Sequence, residues 1–98
     1  MRVEFHPKAS EELKTSSGFY EEKVAGLGNE FLNEVERMIQ VLNDTPMLGI
    51  ELASPFRRAV LRRFPFSLIY TAEENVLWVV AVAHHKLKPG YWKARVNR

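Results

Sequence analysis

The chain has no cysteine, so neither a disulfide framework nor thiolate chemistry is open to it. Histidine is scarce: three in 98 residues, with no compact His/Asp/Glu spacing around them, which excludes a zinc-type metal site as an expectation. Long apolar runs are missing too, none approaching the ~18 residues of a membrane-spanning helix. No signal-peptide pattern opens the sequence, and no glycine-rich phosphate loop or internal repeat appears in it. These absences leave a single cytoplasmic domain over residues 1–98, without cofactor, as the simplest expectation. A chain of this length buries perhaps ~60–65% of its unfolded surface in one core.

Another scarcity is local. After Phe56 the only acidic residues are Glu73 and Glu74, against Arg57, Arg58, Arg62, Arg63, Lys86, Lys88, Lys93, Arg95 and Arg98. Nine basic against two acidic residues give this part +7, while residues 1–56, with five basic and ten acidic, carry −5. The modest net charge of +2 therefore conceals an acidic half and a basic half. Such asymmetry suggests one face built for a polyanion or an acidic partner.

The basic half also holds the strand signals, in the stretch FRRAVLRRFPFSLIYTAEENVLWVVAVAHHKLKPGYW. Residues 76–83 are apolar on both alternating faces and rich in valine, the pattern of a central strand covered on both sides, with Trp78 in the core. Two shorter runs precede it, residues 58–63 and 66–71, parted by Phe64-Pro65. Proline donates nothing to a ladder and favours a turn there. Ala72-Glu73-Glu74-Asn75 is a polar turn into the central run, so the whole reads as an antiparallel meander.

Upstream, residues 2–5 alternate as a short strand. His6-Pro7 opens a helix expected over residues 7–24, with Ala9, Leu13, Ser16, Tyr20 and Val24 on one stripe and Glu11, Glu12, Glu21 and Glu22 outside it. Gly26-Leu27-Gly28 stops that helix, and Asn29 is the expected cap of a second over residues 29–43. There Leu27, Phe31, Leu32, Val35, Met38, Ile39 and Leu42 recur at intervals of three and four. Residues 47–55 read as a linker. The expected fold is α+β, in the order β-α-α-β-β-β: a helical hairpin packed on an antiparallel sheet, with arginines on the opposite sheet face.

The order of RxAVLRRFPFSLIY and VxWVVAVAHHKxKPGYWKxR behind such a hairpin, with FHPKA at the start and LGNEFLNEV in the second helix, resembles the RelE/ParE toxin superfamily of type II toxin–antitoxin systems. Within it the chain looks most similar to the ParE-like, plasmid-stabilisation branch. The resemblance covers nearly the whole chain. It implies a co-encoded antitoxin whose acidic, amphipathic segment covers the basic face. It also implies one of two activities on a shared fold: inhibition of a DNA-processing target such as DNA gyrase, or ribosome-dependent cleavage of mRNA.

RNA cleavage requires a base for the 2′-OH proton, an acid for the leaving oxygen and cations for the phosphorane charge. By resemblance, Arg58, Arg62 and Arg63 occupy the region of the strand cations, while His84, His85 and Tyr91 are the candidates for proton transfer. Neighbouring strand residues point to opposite faces, so at most one of His84 and His85 faces the site. Tyr91 and Trp92, beside Lys86, Lys88, Lys93 and Arg95, suit either base stacking with phosphate contacts or an aromatic plug; the plug is favoured for Trp92. Many RNase relatives carry arginine in a YRxxY motif where this chain has FSLIY, with Ser67 at the arginine position. That departure favours a toxin that acts by binding over one that cuts RNA.

Overall fold

The run expected as a central, covered strand is interior and covered on both faces, but the strand at the centre of the five is the one before it in the chain. In the computed structural model, which describes residues 1–96, strand β5 (Val76–His84) lies between β1 (Arg2–Phe5) and β4 (Phe66–Glu73). The sheet continues through β3 (Arg57–Val60) to a two-residue edge strand β2 (Ile50–Glu51) drawn from the expected linker. Arg98, and with it the end of the basic tail, lies outside the described residues.

Pairing is antiparallel from β2 to β5, but β1 joins β5 in parallel, with Arg2 opposite Val76 and Phe5 opposite Val79. The sheet is thus mixed where an antiparallel one was expected. Parallel neighbours need a long crossover, and the helical hairpin and meander between β1 and β5 supply it. At the other end, Glu74 and Asn75 join β4 to β5 in a two-residue turn with both φ angles positive, 52° and 63°. That is the twist that favours a tight hairpin.

Midway along β5 the register breaks. Ile69 pairs with Ala81 and Tyr70 with Val79, so Val80 has no partner on β4. Leu77 and Val79 face the helices, Val80 and Ala81 both pack on the opposite side, and Val82 faces the helices again. The extra residue re-aims everything downstream, including the two histidines.

Helices α1 (Pro7–Lys23) and α2 (Leu27–Asp44) form the expected hairpin across one sheet face. His6 caps α1, its Nδ1 accepting the Lys8 N–H at 3.0 Å, and Pro7 takes the first position, where no donor is needed. Along α1, Ala9 is buried, Leu13 and Tyr20 pack against the core, and Val24, beyond the last turn, is exposed. Helix α2 begins at Leu27, two residues before the expected cap, and is capped instead by Gly26, whose φ of 89° suits glycine. Its orphan N–H groups are met by Glu21 of α1, which accepts from Gly26 N at 2.9 Å and Gly28 N at 3.0 Å. Gly28 lies so near the Ser17 carbonyl that a side chain there would collide with it.

Phe31, Val35, Met38, Ile39 and Leu42 carry the α2 stripe into the core, where Phe31 meets Phe64 at 5.1 Å and Phe66 at 4.9 Å. Leu32, expected in the stripe, is exposed; Glu34 is buried instead. On the far face Ile69, Val80, Ala81 and Trp92 make a second, smaller core. Trp78 is half-buried against it rather than fully enclosed.

Candidate functional site

Strand alternation builds the face turned away from the helices. Ala59 of β3 enters the helix-side core, which leaves Arg58 and Val60 pointing the other way. The ladder extends this row: Ile50 stands beside Arg58, Arg58 beside Ile69, and Val60 beside Ser67, which pairs with Ala83. After β5 the chain folds back over this face, and a short 3₁₀ helix, Tyr91–Arg95, sets Trp92 onto it, 5.0 Å from the Phe56 ring. Trp92 is therefore the plug that was expected. Between the sheet and this tail lies a cleft of about 350 Å³, with Arg58, Ser67, His85, Lys88, Trp92 and Lys93 in its walls. None of the residues lining it is acidic.

At the cleft floor the Ser67 hydroxyl, on a residue only 2% exposed, lies 2.9 Å from His85 Nε2. The His85 N–H donates to the Pro65 carbonyl at 2.8 Å, tying the turn after β5 to the start of β4. His84 points the other way, its ring edge-on to Phe66 at 4.8 Å and its Nδ1 accepting the Lys86 N–H at 3.0 Å. Of the two histidines, His85 is the one beside Ser67.

The ten candidate residues do not share one surface. Arg58, His85, Lys88 and Lys93 line the cleft together with Tyr91, and His84 borders it. Arg62 and Arg63 belong to the loop after β3, where both N–H groups donate to Glu34 Oε2, at 2.7 and 3.1 Å. The Arg63 guanidinium pairs with Glu30 at 2.6 Å and lies over the Phe64 ring, so it is committed to α2. Lys86 sits in the exposed turn after β5, outside the cleft walls. Arg95 faces α1.

There, β5 outruns β1, which ends opposite Val79, and side chains complete the bare edge. Glu12 Oε1 accepts the Val82 N–H at 3.0 Å, and Arg95 donates to the Val80 carbonyl at 3.0 Å. The two side chains also pair with each other, and the Tyr91 hydroxyl donates to Glu12. Burial by itself raises the Glu12 pKa, but hydrogen bonds from Arg95, Tyr91 and Val82 and the arginine charge outweigh it and hold it below the ordinary carboxylate value. Burial, then the hydrogen bond to Glu12 and that carboxylate's charge, push the Tyr91 phenol far above its ordinary value. Tyr91 therefore stays protonated well past neutral pH, and its hydroxyl is already engaged.

Among the described residues no cluster of three His, Asp or Glu side chains is placed to hold a metal ion, and no helix is long and apolar enough to cross a membrane. The chemistry the cleft offers is anion binding by three cations, with one imidazole–hydroxyl pair at its floor.

The family described as "ParE toxin of type II toxin-antitoxin system, parDE" matches residues 3–89. The chain belongs to the ParE toxin family. A solved chain described as "Chromosomal ParDE TA system from P. aeruginosa" superposes with a TM-score of 0.61, covering 86% of this chain and 95% of that one. The two are 18% identical, so the likeness is one of fold. No curated protein matches the chain. Within this ParE-family chain the matched segment takes in Arg58, Ser67, His84 and His85, and it ends before Tyr91, Trp92, Lys93 and Arg95.

Two carboxylates that organise the ParE-family chain escaped the sequence reading. Glu34 carried a signal: it falls within the apolar period of α2, between Phe31 and Met38, and a carboxylate there needs partners. Glu12 carried none, because its partners lie on β5 and in the tail, far along the chain.

Proposed function

We propose that this ParE-family toxin acts by binding a DNA-processing target such as DNA gyrase, rather than by cutting RNA, and that a co-encoded antitoxin neutralises it. The observation that carries this reading is the make-up of the cleft. A cleaving site needs two proton-carrying groups flanking the phosphate. By the family resemblance Ser67 stands where many RNase relatives carry arginine, and the Tyr91 phenol is held protonated against Glu12. His85 alone remains at the floor, already paired with Ser67. The tail cations Lys88 and Lys93 and the strand cation Arg58 are arranged to hold an anionic surface.

The test is inducible expression, with growth, chromosomal breaks and mRNA 5′ ends followed in the same cells. Growth arrest with DNA breaks and intact mRNA is expected, relieved by co-expressing the neighbouring short reading frame. Cut mRNA that disappears in a folded His85→Ala variant would overturn the reading.

A further inference from the structure

Strand β4 is apolar from Phe66 to Tyr70 except at one position, Ser67. Serine is a poor strand former, and a hydroxyl enclosed among apolar neighbours is unfavourable unless it is bonded. Its ladder partners are Val60 on β3 and Ala83 on β5, so the hydroxyl stands between two aliphatic neighbours. Its one hydrogen-bond partner among the described residues is His85 Nε2, at 2.9 Å. That imidazole comes from the turn after β5, which is pinned by the bond from the His85 N–H to the Pro65 carbonyl at 2.8 Å. A nucleophile and a base are therefore within proton-transfer reach, and the dry surroundings of Ser67 strengthen the bond between them.

The pair opens in one direction. Ser67 is 2% exposed and lines the cleft under the tail, so a reagent reaches its hydroxyl from there. At about 350 Å³ the cleft admits a small molecule and little more, near the lower end of the ~300–1,000 Å³ usual for ligand pockets. Its walls divide by chemistry: Ile69, Ala83 and Trp92 are apolar, while Arg58, Lys88 and Lys93 are cationic. Arg58 shares a strand face with Val60, the neighbour of Ser67. Cations there suit the charge that develops on a carbonyl oxygen under attack, and they suit a second anionic group on the same molecule. Cutting RNA at this cleft would take two proton carriers. Acyl transfer asks for one base, which takes a proton and gives it back.

We propose that Ser67 and His85 are the nucleophile and base of an acyl-transfer site for small carboxylic esters that carry a second, anionic group. Ser67 Oγ gives its proton to His85 Nε2 and bonds to the ester carbonyl carbon. The bond from that carbon to the alcohol oxygen breaks, and the alcohol leaves with the proton. Water then attacks the acyl-serine and loses a proton to His85, which returns it to Ser67 Oγ as the acid departs. The sum is ester plus water to acid plus alcohol. This goes beyond the binding reading, which concerns a macromolecular target, and does not depend on it.

The experiment treats the whole chain with two activated esters, the anionic 4-nitrophenyl hemisuccinate and the neutral 4-nitrophenyl butyrate, and follows phenolate release and intact mass. Peptide mapping should place one acyl group on Ser67, in an ester that hydroxylamine removes, unlike an amide on Lys88 or Lys93. The anionic ester should react severalfold faster than the neutral one, and Arg58→Gln should abolish that preference. Ser67→Ala should eliminate the hydroxylamine-sensitive adduct. His85→Ala should slow acylation at least about tenfold, since a general base is lost. Ser67→Ala removes a single oxygen and the His85 side chain is exposed, and retained amide dispersion confirms the fold of both variants. No ester on Ser67 in the unaltered chain, acylation as fast in His85→Ala, or equal rates for the two esters would each overturn the proposal.

Discussion

The Glu12 carboxylate and the Arg95 guanidinium meet through two parallel contacts of 2.9 and 2.6 Å, and between them they occupy the stretch of β5 edge that β1 leaves bare. One pair therefore stands in for a missing strand: its carboxylate takes the Val82 N–H and its guanidinium the Val80 carbonyl. It also clamps the tail that walls the cleft onto the first helix.

Removing one partner strands the other. The side chains are only 10% and 19% exposed, so the pair is largely desolvated. Arg95→Ala should cost roughly 2–4 kcal/mol, a little below the range for fully buried pairs, because water reaches the orphaned carboxylate in part. Urea unfolding measures it, and a loss below about 0.5 kcal/mol, the scale of an exposed pair, would show the clamp to be a surface contact.

Acid should loosen the same clamp. Glu12 and Glu34 are both held below the ordinary carboxylate value of 4.5: burial opposes this, but hydrogen bonds and neighbouring arginines prevail. Groups depressed in the folded state contribute stability above their unfolded pKa and lose it as pH falls through the lower folded value. Stability should thus be level near neutral pH and decline below about pH 4.5. Glu12→Gln should be less stable at neutral pH and show a shallower acid decline; an unchanged slope would contradict the assignment.

The plug carries stability as well as shape. Trp92→Ala deletes a side chain buried against Phe56, Ile69, Val80 and Ala81, and a loss of about 3–5 kcal/mol is expected by thermal or chemical unfolding. Tail protons should then exchange faster with solvent than those of β5, since the helix-side core is separate.

Two glycines make a contrasting pair. A side chain at Gly28 would collide with the Ser17 carbonyl, so Gly28→Ala should destabilise by about 1–3 kcal/mol as the helices are forced apart. A side chain at Gly18 meets nothing within 4 Å, and the site is exposed within α1, so Gly18→Ala should stabilise by about 0.5–1 kcal/mol. Equal effects of the two changes would mean that the helix contact at Gly28 is not close.

What the sequence by itself determined was whatever repeats over a few residues. The valine-rich run of β5, the period of α2, the proline that parts the two preceding strands and the glycines that end α1 each act on near neighbours, and each of these elements formed within three residues of its expected place. Two histidines in succession likewise had to face opposite ways. The tertiary structure decided which of them meets Ser67, because the bulge at Val80 sets the phase of the strand that follows. It also decided which cations act together: Arg62 and Arg63, neighbours of Arg58 in the chain, bend away to serve α2, while Lys88 and Lys93 arrive from the tail. The parallel docking of β1 and the clamp between Glu12 and Arg95 join groups far apart in the chain. Local periodicity specifies an element because its consequences are paid within a turn or a strand pair; charge clusters carry no such period, so only the packed fold assigns each charge its partner.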